Sequence, residues 1–264
     1  MKALNTYINE KLVLNKNTFK SPAYKYFPKT NSQLKNVLNE AIRLRKNDDV
    51  IDLNDIDTSE ITDMNNAFSS YDKIKKIDIS KWNVSNVINM EDMFYLCENL
   101  ESIGDVSSWD VSKVKNMCCM FFANENINVD LSSWDVSKVE NMDTMFYKCN
   151  KFDFSTIENW DVSNCYNMDD MFCDCKYMNA DFSKWNTKSL TSMSEIFINC
   201  ESFTGKGLEK WKTIYVTNME DAFAGCKKLN CNLNNWNIDS LIKSDEAFLF
   251  CPKESIPDWY TGDI

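Results

Sequence analysis

The chain has 264 residues, 44% of them hydrophobic and 13% aromatic, which is enough apolar matter for a continuous core and argues against disorder. Its net charge of −11 makes the body a poor partner for nucleic acid, and histidine is absent, which removes Ser–His and Cys–His nucleophiles and imidazole bases. No apolar run of membrane-spanning length occurs, and the first ten residues hold no signal-peptide core, so the expectation is a cytoplasmic or virion-associated chain without a secretory signal.

Residues 1–47 form a basic leader with ten Lys/Arg against two Glu, or +8, attached to a remainder with nineteen Lys against thirty-eight Asp/Glu, or −19. Leu4, Tyr7, Ile8, Lys11 and Leu12 suggest a short amphipathic helix. An aromatic, irregular stretch with Pro22, Tyr24, Tyr26, Phe27 and Pro28 follows. Thr30-Asn31-Ser32-Gln33 then reads as a capping box. Leu34, Val37, Leu38, Ala41 and Ile42 make one helical face, with Arg43, Arg45 and Lys46 at the C-terminal end, where cations suit the helix dipole. This leader predicts a helical N-terminal cap.

From residue 48 the chain repeats. Trp82, Trp109, Trp134, Trp160, Trp185, Trp211 and Trp236 are spaced by 27, 25, 26, 25, 26 and 25 residues, and Ile56 opens an earlier unit. Counting each of these as position 0, Phe recurs at +12 from Phe68 to Phe248. Met recurs at +8 from Met64 to Met219, with Ser244 breaking the series, and Cys at +15 at 97, 149, 175, 200, 226 and 251. Positions +8, +11, +12 and +15 share one face of a two-turn helix. Ser85, Ser112, Ser137 and Ser163 lie ahead of it as candidate caps. Ile77-Asp78-Ile79-Ser80, Asp130-Leu131-Ser132 and Asn230-Cys231-Asn232-Leu233 read as short strands. The pattern predicts an α/β repeat, a solenoid over 48–251 of about eight 25–27-residue units, each a short strand plus a short helix. Residues 252–264, with Pro252, Pro257, Trp259 and Tyr260, close it as a C-terminal cap.

Asp92-Met93-Phe94-Tyr95-Leu96-Cys97-Glu98-Asn99-Leu100 and Asp221-Ala222-Phe223-Ala224-Gly225-Cys226-Lys227-Lys228-Leu229 resemble the A/M-F-x-x-C-x-x-L segment of BspA-like leucine-rich repeats. Trp82-Asn83-Val84-Ser85-Asn86-Val87-Ile88-Asn89-Met90 is similar to the W-D-V-S-N-V-x-N-M signature of the Mycoplasma- and Bacteroides-type subgroup. The resemblance implies a leucine-rich-repeat horseshoe and a role in surface adhesion or interaction.

The cysteines offer two metal readings, Cys173 and Cys175 with Cys165, or the pair Cys118–Cys119, against the plainer one of thiols packing as small hydrophobes. Eleven cysteines, an odd number, fit a reducing compartment. The Met and Phe ladders read as core, and the Trp ladder as core or as a ligand platform. Asn or Asp at +1 and Asn at +7 read as side chains bonding nearby backbone, with calcium ligation as the alternative. No phosphate loop is present among five glycines, so no enzyme and no cofactor is expected.

The expected function is a non-catalytic protein–protein interaction or adhesion module. The alternative is a structural component of a larger particle such as a phage virion, anchored through the leader. Candidate contacts with a protein partner are Lys20, Lys25, Lys29, Arg43, Arg45 and Lys46.

Overall fold

The computed structural model describes residues 24–263, so the helix expected over Leu4–Leu12 lies outside the described residues. Helix α1 spans Asn31–Leu44. The Thr30 hydroxyl accepts from the Gln33 amide, and the Gln33 side chain reaches past it to accept from the Lys29 amide at 2.8 Å. Leu34, Val37, Leu38, Ala41 and Ile42 are buried in the same core as the repeats. The helix is pinned to the first unit by Asn31 Nδ2 donating to the Asn65 carbonyl at 2.9 Å and by Tyr71 donating to Asn39. Ahead of it, Tyr26 bridges Ile56 in parallel.

Regular strand is short. Strands β1 (Ile51–Asp52) and β2 (Ile77–Asp78) pair in parallel, with Ile51 opposite Ile77. The later segments expected as strands are irregular. The reason is local: the Asp78, Asp105, Asp130 and Asp181 carboxylates each accept from the backbone N–H two residues on, at 2.9–3.0 Å, which turns the chain after the first extended residues.

The two-turn helix expected over the Met–Phe–Cys segment does not form. A helix sends each N–H back four residues. Here alternate amides point in two directions. In the second unit the Met90, Asp92, Phe94 and Leu96 amides donate to the Asn116, Cys118, Met120 and Phe122 carbonyls of the third unit, at 2.9–3.0 Å. The amides between them, of Met93, Tyr95 and Cys97, donate back three residues to Met90, Asp92 and Phe94. The segment is therefore a row of β-turns. Positions +10 and +14 are left-handed in all eight units, from Asn66 (φ 55°) and Ser70 (φ 64°) to Glu246 (φ 52°) and Phe250 (φ 63°), with glycine only at Gly225. A left-handed residue costs a non-glycine roughly 1–2 kcal/mol, and the bonds to the next unit offset this. Successive units are further joined by parallel bridges at +7, running Asp63–Asn89–Asn116–Asn141–Asn167–Ser192–Asn218–Lys243.

Positions +8, +11, +12 and +15 still point inward, as the spacing required. The Phe rings at +12 stack face to face from Phe68 to Phe248, with centroids between 5.2 and 6.0 Å apart. The +15 thiols of Cys97, Cys149, Cys175, Cys200, Cys226 and Cys251 donate to the Phe carbonyl of the preceding unit at 2.9–3.1 Å. In the third unit Asn124, fully buried, makes the same bond to Phe94 with Nδ2 at 2.7 Å. The indoles of Trp82, Trp109, Trp134, Trp160, Trp185 and Trp236 donate to a carbonyl of the preceding unit at 2.8–3.3 Å. Trp211 Nε1 is buried without an acceptor. Beyond the last unit, Trp259 and Tyr260 cover the Phe248 ring. No helix among the described residues is long and apolar enough to cross a membrane.

Phe121→Ala, at the centre of the ring stack, should cost about 3–5 kcal/mol in chemical denaturation. Trp160→Phe should cost about 1 kcal/mol more than Trp211→Phe, because only the former removes an existing hydrogen bond, the indole's to the Leu131 carbonyl. Equal costs for the two indoles would show that the inter-unit bond contributes nothing.

Candidate interaction face

The turn geometry that sends +8, +11, +12 and +15 inward leaves +9, +10, +13 and +14 outward. In the second unit Met90, Met93, Phe94 and Cys97 are buried while Glu91, Asp92, Tyr95 and Leu96 are half-buried. The repeat aligns these outward residues into four columns along one face, held in register by the inter-unit bonds.

Two neighbouring columns are acidic. Position +9 carries Glu91, Asp143, Asp169, Glu220 and Asp245, and +10 carries Asp92, Asp170, Glu195, Asp221 and Glu246. Burial, then Glu195, Asp143 and Asp169, push Asp170 up to about 7. Asp143 is raised by burial and by Asp169, and Asp221 by burial and by Glu195, Glu220 and Asp245. One oxygen each of Asp170 and Glu195 lies with the Cys173 sulfur inside a group less than 4.8 Å across. From the second unit on, column +13 is apolar or aromatic. Tyr95, Phe122 and Tyr147 stack at 4.7 and 4.5 Å, and Ile198 and Leu249 continue it. Lys148, over the Tyr147 ring, is the one cation in the four columns from +9 to +14 between Asn65 and Phe250.

The residues singled out by sequence fall elsewhere. Lys20 lies outside the described residues. Lys25 and Arg45 both pair with Asp55, Lys29 with Glu60 at 3.1 Å, and Arg43 with Glu40 at 2.8 Å. Lys46 lines a groove of 520 Å³ between the end of α1 and the first units. Cys165 donates to the Asn167 carbonyl and Cys175 to that of Phe146, so both thiols face inward, whereas Cys173, also buried, lies beside Asp170 and Glu195. Burial pushes Cys97 and Cys165 up to about 12. The Asn89, Asn116, Asn141, Asn167 and Asn218 side-chain oxygens accept from the amide two residues on. The expected serine caps are reversed: the Ser85, Ser112, Ser137 and Ser163 amides donate to Asn83, Asp110, Asp135 and Asp161. Sequence reasoning missed the acidic columns, although Glu91-Asp92, Asp169-Asp170, Glu220-Asp221 and Asp245-Glu246 fall at one repeat position. Treated as a helix, +9 and +10 belong to an unremarked solvent side.

The crowding at Asp170 has a pH signature. The folded carboxyl holds its proton up to about 7, whereas an ordinary one loses it near 3.8. Between these values the folded state binds more protons than the unfolded one, so this group's contribution to stability falls as pH rises. The thermal midpoint of Asp170→Asn, relative to the native protein, should therefore climb from pH 4 to pH 7 and level off above. A gap independent of pH would mean that Asp170 is not crowded.

The described core and columns recur with every unit, and the chain matches a family model twice, over residues 32–155 and 142–259. No curated protein and no solved structure matches it. The two matches together run from α1 through the last repeat, and the chain belongs to the family described as Mycoplasma protein of unknown function, DUF285.

Proposed function

We propose that the protein is a non-catalytic interaction module, a solenoid whose outward ladder face docks a cationic, extended segment of a protein partner. The observation that carries this reading is the pair of carboxylate columns beside an apolar column. A segment alternating basic and apolar side chains meets both at once, with period two along its length. Each Lys or Arg that settles between Asp170, Glu195 and Asp221 relieves repulsion already present in the free protein, so the partner gains more there than from isolated surface carboxylates. The stacked core supports the same reading. It fixes the inward positions once per unit and leaves the outward ones free to vary in chemistry without loss of fold. The BspA-type resemblance points to adhesion and interaction as well.

A labelled peptide of alternating Lys and Leu tests this by fluorescence anisotropy, with a Glu–Leu peptide as control. Asp170→Asn, Glu195→Gln and Asp221→Asn combined should weaken binding of the basic peptide by about tenfold or more, and added salt should weaken it further. Asp105→Asn, Asp130→Asn and Asp135→Asn combined remove the same charge from the Asx turns away from the ladder and should leave it nearly unchanged. Equal losses in the two triple variants would reduce the effect to net charge and sink the proposal.

A further inference from the structure

In the third unit the two outward positions that hold carboxylates elsewhere hold adjacent cysteines, Cys118 at +9 and Cys119 at +10. Adjacent side chains on an extended strand point to opposite faces. Here Cys119 is left-handed (φ 53°), and both thiols reach the same outer face with their sulfurs 3.5 Å apart. Both are half-exposed, whereas seven other cysteines, Cys97 and Cys175 among them, are buried. Asp143 of the next unit lies alongside. Its Oδ2 is 3.9 Å from Cys118 Sγ, and its Oδ1 is held by the Thr144 hydroxyl at 2.7 Å.

We propose that Cys118 and Cys119 form a binding site for one thiophilic divalent cation of the zinc or cadmium class, with Asp143 beside Cys118 as an outer-shell carboxylate. Two thiolates on a tetrahedral zinc are separated by about 3.8 Å, from a zinc–sulfur bond of about 2.3 Å. The observed separation is close to that edge before any ion binds. Soft sulfur donors select such cations over magnesium and calcium. Binding exchanges both thiol protons for the dication: the two S–H bonds are lost to solvent as two protons, two S–metal bonds form, and no redox change occurs. Water completes the coordination.

Cadmium added to the reduced full-length chain provides the test. The ultraviolet thiolate-to-cadmium charge-transfer band should saturate at one ion per chain, with two protons released per ion. Cys118→Ser and Cys119→Ser should each abolish the band. Asp143→Asn should weaken binding about tenfold. Cys231→Ser and Cys251→Ser should leave it intact, and excess magnesium should not compete. In the unaltered protein, cadmium should shield Cys118 and Cys119 from alkylation by N-ethylmaleimide, mapped by mass spectrometry, which keeps the test valid should a variant fail to fold. A band that survives in Cys118→Ser, no band at all, or alkylation of both residues at the same rate with and without cadmium would overturn the site.

Discussion

Everything in this molecule depends on the direction of alternate backbone amides in the turn segment of each unit. Four of them leave the unit and bond to the next, and those between close turns at home. A unit alone cannot satisfy the first set, and a two-turn helix in isolation would be marginal in water. Stacking solves both problems at once. The outward-directed bonds also fix the distance between units, and that distance is the one at which the Phe rings lie face to face at 5.2–6.0 Å. Backbone and side-chain ladders therefore share one repeat length, and each reinforces the other.

The ladder is polar along its length. Each unit offers N–H groups from +8 to +14 towards the following unit and carbonyls towards the preceding one. The two ends of the stack consequently expose different chemistry, and they are closed differently. Helix α1 lies over the carbonyl end, where Asn31 donates to Asn65 and Tyr71 takes the place of a cysteine so that its hydroxyl reaches Asn39. At the other end Trp259 keeps the indole bond to Leu233, while Tyr260 packs across the last Phe ring. Both caps use residues that depart from the repeat consensus at the place where the repeat has no further neighbour.

The same geometry sets what the surface can do. Outward positions are held in columns at the spacing of the units, so a residue choice made in several units becomes a stripe. Carboxylates placed this way raise one another's proton affinity, which is stability given up at neutral pH in the free protein. Adjacent residues that would diverge on a strand converge here, because the second of each outward pair is left-handed. This is how Glu91 and Asp92, or Cys118 and Cys119, come to share a face.

The sequence by itself determined the repeat, its register and the inward set. Trp, Met, Phe and Cys recur at fixed offsets, and a buried position tolerates few side chains, so its identity is written in each copy. It also determined α1, whose cap and apolar face are local features. It did not reveal that the Met–Phe–Cys segment is a row of turns. Offsets of 3, 4 and 7 satisfy a helix and satisfy these turns equally, and the difference lies in whether an amide finds its acceptor four residues back or one whole unit ahead, as Met90 does at Asn116. Only the tertiary structure supplies that second acceptor. It alone decided which residues face outward together, and so placed the acidic columns, the aromatic stack and the paired thiols on one surface. It also showed Lys25, Lys29, Arg43 and Arg45 of the basic leader paired with acids of the same chain, a matter of proximity that no pattern of residues along the chain records.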